Sequence, residues 1–277
     1  MGSVFSPYYA WAHARSGAAD PENHCALNVA LYGRGARRWT MTERGRGRVA
    51  RDARSFAIGP SAVRWDGGRL VIDVEERAVP FGQRVSGRVT VTPDALWNFS
   101  TPLDDRGRHR WGPIAPSARV EVTLSHPSLS WRGHAYLDSN EGDEPVARAF
   151  TEWDWSRAQL RDGSSAVLYD VRQRAGDDRV LALRFGSSGT VEPFSAPPRQ
   201  ALPRTAWRIG RTMRTDTGTT ARVRETLEDT PFYVRSVLSS GLLGEAVTSV
   251  HETLDLPRVV SLPVRLMLPW RMPRRAW

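Results

Sequence analysis

Two short pairs stand out between His109 and Trp155. His109-Arg110-Trp111 and Tyr136-Leu137-Asp138 each set an aromatic ring two residues from a group that can carry a proton. Side chains at i and i+2 of an extended strand project to one face. Tyr136 and Asp138 are therefore expected to look into one cavity, and so are His109 and Trp111. That arrangement offers an acid surrounded by π-faces. Common catalytic templates are missing: there is no G-x-G-x-x-G, G-x-x-x-x-G-K-[ST], G-x-S-x-G or H-E-x-x-H. The six histidines (His13, His24, His109, His126, His134, His251) never fall in metal-ligand spacing with a second ligand type, so no metal is expected. The chemistry then rests on an acid, aromatic rings and a histidine.

The elements that position these residues read as strands. LVIDVE (Leu70 to Glu75), RVSGRVTVTP (Arg84 to Pro93), ARVEVTLS (Ala118 to Ser125), AVLYDVRQ (Ala166 to Gln173) and FYVRSVLS (Phe232 to Ser239) alternate apolar and polar residues, as half-buried strands do. Turn signals such as WDGG, RDGSS, AGDD and GSSG separate them at hairpin spacing. No apolar stripe of helical period persists for three turns without Gly or Pro, so few, short helices are expected. The fold class is all-β, with antiparallel sandwiches or barrels. SNEGDEPV suggests a boundary, giving domains 1–144 and 145–277. FSAPPRQALPR (Phe194 to Arg204) reads as a loop. The tail from Leu262 to Trp277 mixes Leu, Met and Trp with arginine, and its prolines prevent a long helix. It is expected as a packed C-terminal strap, with an interfacial anchor as the alternative.

A chain of 277 residues is long enough for real cores, and no apolar run reaches the roughly 18 residues of a membrane span. The first residues lack the apolar core of a signal peptide. They fit the loose M-G-x-x-x-S myristoylation pattern, which is discounted as a coincidence of a short motif. The single cysteine, Cys25, rules out an internal disulfide and fits a reducing compartment. Net charge is +9, yet every basic residue is arginine and the arginines run along the whole length. The densest cluster, Thr42 to Arg54, contains acids and no aromatics for base stacking, so no nucleic-acid partner is expected.

The longer motifs carry a resemblance. GSVFSPYYAW, DPENHCALNVALYG, RRWTMTERGRG, HRWGPIAP, GHAYLDSNEGD, FTEWDWSRA and LPWRMPRR closely resemble the bacterial acyclic carotenoid 1,2-hydratases, also called hydroxyneurosporene synthases. The resemblance runs across nearly the whole chain. It implies two lipocalin-like, calycin-type antiparallel barrels packed side by side, working without a cofactor on lycopene- or neurosporene-like substrates in purple phototrophic bacteria. Location in the cytoplasm or at the periphery of the inner or intracytoplasmic membrane follows, with carotenoid and water as partners. Family members carry a further segment ahead of the GSVFSPYY motif, so the first barrel is expected to lack leading strands. The family's catalytic emphasis on HxW and YxD maps onto His109, Trp111, Tyr136 and Asp138.

Hydration of a trisubstituted alkene begins with protonation of its less substituted carbon, leaving a tertiary cation for water to capture. Asp138 is the expected acid, since desolvation keeps a carboxyl neutral. Each aromatic face supplies roughly 0.5–2 kcal/mol to the cation, so Trp111 and Tyr136 are joined by Trp153 and Trp155 as cavity aromatics. His109 is expected to orient Asp138 and relay a proton, and the Tyr136 hydroxyl or Asn140 to hold water. Residue pattern alone favours plainer roles: Trp111 and Tyr136 as core, Asp138 as a turn residue, His109 as solvated, and Asn23 and His24 as loop caps. Asp154 points opposite to Trp153 and Trp155, toward solvent or an arginine. The competing function is a non-catalytic isoprenoid or lipid carrier on the same architecture.

Overall fold

The structure, a computed structural model, describes residues 5–33, 35–187 and 189–275. It is mostly β-sheet. Its longest helices, Pro7–Ser16 and Leu262–Arg271, have ten residues each. The chain forms two compact units, one of Met1–Pro93, Ala118–Ala135 and Leu262–Trp277, the other of Asp94–Ser117 and Tyr136–Ser261.

The first unit is built on an antiparallel meander in which Arg84–Pro93 pairs with Arg69–Arg77 on one side and with the Ala118–His126 stretch on the other. Alternation is clean there. Ala118, Val120, Val122 and Leu124 are buried while Arg119, Glu121 and Thr123 are exposed, as a strand with one wet face requires. Gly87 has φ +143, and a Cβ on it would stand 2.3 Å from the Thr123 carbonyl, so only glycine allows the backbones to close up where the register shifts near Leu124.

The N-terminal helix starts at a Ser6 cap, which accepts from the Tyr9 amide, and ends at Gly17 with φ 71. The Ser6 hydroxyl also donates to Glu43, a fully buried carboxylate that faces His24 Nδ1 at 2.9 Å and receives the Arg274 guanidinium. A buried carboxylate persists only when such partners surround it. His24 is therefore more than a loop cap. The tail packs as a strap: Val264 and Leu268 are buried, Arg271 lies 4.0 Å over the Trp39 ring, and Arg274–Arg275 add a parallel strand to Glu43–Arg44. The same helix turns Leu262, Leu266, Met267 and Trp270 outward. Among the described residues, no helix is long and apolar enough to cross a membrane.

In the second unit seven antiparallel strands run in the order Val191–Pro193, Arg179–Phe185, Ser165–Gln173, Phe150–Gln159, Glu245–Asp255, Tyr233–Leu242, Arg222–Asp229. Among the described residues neither unit's sheet closes into a barrel. One face of the second sheet carries the apolar core, with Ala158, Ala166, Leu168, Ala182 and Leu238 at its centre. Ala166–Gln173 is expected to be half-buried, but the strand Ser165–Gln173 is buried through its first seven residues, because the sheet is covered on both faces along this strand, whereas Ala246, Thr248 and Val250 of Glu245–Asp255 are exposed. The expected Phe194 to Arg204 loop contains the strand Arg199–Ala201, paired with Thr212–Arg214.

Candidate active site

All the singled-out residues fall in the second unit. The strand His109–His126 starts there behind the loop Asp104-Asp105-Arg106-Gly107, which turns at Gly107 with φ 65. Asp104 organises that turn as aspartates do. Its carboxylate accepts from the backbone amides of Arg106 (2.9 Å), Arg108 (3.2 Å) and His109 (2.7 Å), and its Oδ2 lies 3.1 Å from His109 Nδ1. Burial works against the anion, but these donors outweigh it and hold the Asp104 carboxyl below its ordinary value.

Two residues on, Trp111 is almost fully buried. Its neighbour Gly112 makes room for the Phe99 carbonyl, which a Cβ at 112 would meet at 2.0 Å. This close approach sets Trp111 edge-on to Phe99, Phe185 and Tyr169, with ring centres 6.5, 6.2 and 5.8 Å away, the geometry that aromatic quadrupoles favour.

Tyr136 and Asp138 share a face of the strand Leu129–Gly142, as their spacing predicts. The Tyr136 hydroxyl donates to Asp138 Oδ2 at 3.2 Å and Trp111 Nε1–H donates to the same oxygen at 2.8 Å. No other side chain among the described residues is bonded to Oδ1. Asp138 keeps some surface exposed as a residue, yet its carboxyl is crowded by rings. Desolvation is the leading influence and raises its pKa above the ordinary carboxylate range, against the two donors, with the Glu252 carboxylate adding to the rise. The Tyr136 phenol is pushed up by burial and then by the Asp138 charge, and Tyr169 likewise, so both remain protonated donors.

The neighbouring sheet completes the enclosure. Phe150–Gln159 and Ser165–Gln173 pair so that Trp155 stands opposite Tyr169. Trp155 lies 5.5 Å from Tyr136, and Trp153 lies 6.2 Å from Tyr169. The rings thus run continuously from Trp155 through Tyr136, past Asp138 to Trp111, Tyr169 and Trp153. Arg157 sits 5.6 Å over the Tyr136 ring and donates to the Pro116 carbonyl and to Ser165. The Trp155 indole N–H is buried and has no hydrogen-bond partner among the described residues.

The structure therefore brings together Asp138, Tyr136, Trp111, Trp153 and Trp155. It does not bring His109 into hydrogen bonding with Asp138: one ring nitrogen faces Asp104 and the other lies 3.1 Å from the Glu144 carbonyl. Nor is His109 solvated, for it is buried against Phe150 at 4.9 Å. Asn140 is exposed. Asp154 does point away from the two tryptophans, but into the buried face, where Thr212 and Thr253 hydroxyls donate to it and Arg199 stands at 3.6 Å. Of the two expectations for Asp154, the solvent-facing one fails because the residue is buried, and the arginine partner is the one found. Tyr169, Arg157 and Glu252 are additions that residue spacing did not mark. Tyr169 lay within the alternating AVLYDVRQ run, a pattern that marks a strand without distinguishing which residue meets the acid. Among the described residues no group of three or more His, Cys, Asp or Glu could hold a metal ion.

The family described as "Carotenoid hydratase CrtC" matches residues 1–277. The chain is 64% identical over 277 residues to the acyclic carotenoid 1,2-hydratase of Rubrivivax gelatinosus, covering 100% of this chain and 68% of that protein. It is 55% identical to the protein of the same name from Thiocapsa roseopersicina, over 99% of this chain and 67% of the other. A third protein of that name, from Cereibacter sphaeroides, is 38% identical, with 99% and 96% covered.

Proposed function

Because the chain belongs to the carotenoid hydratase family, we propose that Asp138 is the proton donor with which it hydrates the terminal 1,2 double bond of acyclic carotenoids. The observation that carries this reading is the convergence of Trp111 Nε1–H and the Tyr136 hydroxyl on one oxygen of a desolvated carboxyl. Oδ1, bound by no other side chain among the described residues, carries the transferable hydrogen. It adds to C2, the less substituted carbon, and the π-electron pair forms the new C–H bond, leaving a tertiary cation at C1.

Desolvation and the two donors then act at different moments. Before transfer, burial keeps the acid neutral. After transfer, the indole and phenol hydrogens hold the carboxylate that remains, stabilising charge where it develops. The cation is met by ring faces, at about 0.5–2 kcal/mol each; Tyr136, Tyr169, Trp153 and Trp155 are the candidates. Water attacks C1, and the proton it sheds returns to the Asp138 carboxylate, so alkene plus water gives the 1-hydroxy product with the acid restored. The Trp155 N–H, unpartnered among the described residues and closed to water in this structure, would hold that water by its oxygen once substrate entry parts the rings; Asn140 is too exposed for the role. His109, bonded to Asp104, is a positioning residue for the strand that carries Trp111.

Two further readings accompany this one. Each unit is read as a lipocalin-like half, supported by the antiparallel meander in each. Peripheral contact with the cytoplasmic face of a membrane is supported by the outward Leu262, Leu266, Met267 and Trp270 of the C-terminal helix. Trp270 is 77% exposed, a cost that an apolar interface would remove.

The test incubates the protein with lycopene or neurosporene dispersed in detergent and assays for the 1-hydroxy product by mass. Asp138→Asn is expected to bind pigment and leave it unchanged. Undiminished hydration by that variant would remove Asp138 from the acid role. Tight binding without turnover by the unaltered chain would favour a carrier.

A further inference from the structure

The reaction uses no arginine, although the chain is rich in them. Many are neutralised in place: Arg46 by Asp20 and Glu22, Arg64 and Arg88 by Asp73, Arg214 by Asp170. One cavity of the first unit departs from this pattern. It has a volume of about 330 Å³, and its wall includes Arg44, Arg48, Gly59, Glu76, Arg77 and Arg275.

The acids at this cavity are already engaged. Glu76, fully buried, takes both arms of the Arg44 guanidinium at 3.0 and 2.9 Å and also accepts from Ser61. Glu75, which also lines the wall, takes both arms of Arg84 at 2.8 and 2.9 Å. Gly59, with φ +62, leaves the space that Arg44 occupies: a Cβ there would fall 2.2 Å from its Nε. What remains is an unbalanced set. Arg48, Arg77 and Arg275 form no ion pair among the described residues, although Glu75 feels the charge of Arg77 and Glu76 that of Arg275; the one side-chain bond among the three runs from Arg77 to the Gly82 carbonyl at 3.2 Å. Four guanidinium groups thus line the cavity against two carboxylates already engaged by Arg44 and Arg84, a net positive charge that an anion would offset.

We propose that this cavity is a binding site for a phosphoryl anion. Guanidinium forks match phosphate oxygens in geometry as well as charge, and several forks suit an anion of more than one charge. At about 30 Å³ per water the cavity holds on the order of ten water volumes, which exceeds a halide or a bare carboxylate and admits a phosphate with an organic substituent. The carotenoid is a hydrocarbon and offers these groups nothing, so the site serves something other than the substrate. The phosphate of a lipid headgroup and free phosphate share the required chemistry.

Calorimetric titration of the full chain with inorganic phosphate, together with cosedimentation on phosphatidylglycerol vesicles, tests the site. The double variant Arg48→Gln/Arg275→Gln is compared with Arg204→Gln/Arg224→Gln, which removes the same charge from exposed arginines of the other unit. Saturable phosphate binding is expected, weakened about tenfold or more in the cavity variant and less than threefold in the control. Vesicle retention that falls in parallel assigns the headgroup; phosphate binding without retention assigns the free anion. Equal losses in both variants would reduce the effect to net charge and overturn the site, as would absence of saturable binding by the unaltered chain. Hydration of detergent-dispersed carotenoid is expected to be unchanged in both variants, which separates this inference from the assignment of Asp138.

Discussion

Asp104 and Asp138 belong to the same unit, and each accepts more than one hydrogen bond, but they are built to opposite ends. Asp104 receives three backbone amides and faces an imidazole nitrogen. Asp138 receives one indole and one phenol hydrogen, both on a single oxygen. Burial opposes the charge of both. The donors win at Asp104 and lose at Asp138, so one carboxyl is held below its ordinary pKa and the other above it. Donor number and alignment therefore separate a structural anion from the proposed proton source.

Several substitutions break or sharpen that contrast. The largest effect is expected for Asp138→Asn, a loss of kcat of about 10³-fold or more, in the upper range for removal of a general acid, with circular dichroism unchanged. Trp111→Phe keeps a ring and deletes the stronger donor to Oδ2. A kcat loss of about 10–100-fold is expected, by analogy with removal of other charge-stabilising donors, with KM little altered. Tyr136→Phe deletes the longer bond and is expected to cost about tenfold, in keeping with a modest hydrogen bond.

The pH profile gives this last variant a second readout. With Asp138 as the proposed acid, activity requires its neutral form and is expected to fall as pH rises through the raised pKa of that carboxyl. The Tyr136 hydrogen bond lowers that pKa; without it the alkaline limb should move to higher pH. A limb that stays in place or moves down would detach it from Asp138. Asp104→Asn stands last for activity, with kcat changed only several-fold, but it should destabilise the fold by about 1–3 kcal/mol through unmet backbone amides. The depressed pKa of Asp104 sets the sign of its pH effect. Its contribution is present above the ordinary aspartate value and is lost as pH falls toward the depressed one. Melting of the unaltered protein should therefore approach that of the variant in acid.

The pairing of Tyr136 with Asp138 was legible because it lies within one strand, where period two fixes which side chains share a face. Strands such as Arg84–Pro93 were legible for the same reason, bounds included. Trp111 could be foreseen at the site only as a ring on another strand; its bond to Asp138 joins strands whose approach local alternation does not encode. Arg157 follows Trp155 by two residues on one strand and Tyr169 faces Trp155 across the adjoining hairpin, but which strands meet Tyr136 and Asp138 is not set by local alternation; Glu252 arrives only through pairing with the distant strand Glu245–Asp255. His109 misled for a related reason. Sharing a face with Trp111 put it on the right side of the strand, but the Asp104 turn claimed its ring. The inward Asp154 and the buried run at the start of the Ser165–Gln173 strand share a further cause: alternation reveals two faces without saying that both are covered.

The clamping of a single carboxyl oxygen by two donors has a stereochemical corollary. An acid that cannot swivel delivers its hydrogen from one direction, so a substrate lodged among the rings meets it on one π-face. Turnover in deuterium oxide should then install the label at one of the two prochiral positions of C2, and a racemic label would mean that the olefin tumbles before it is struck.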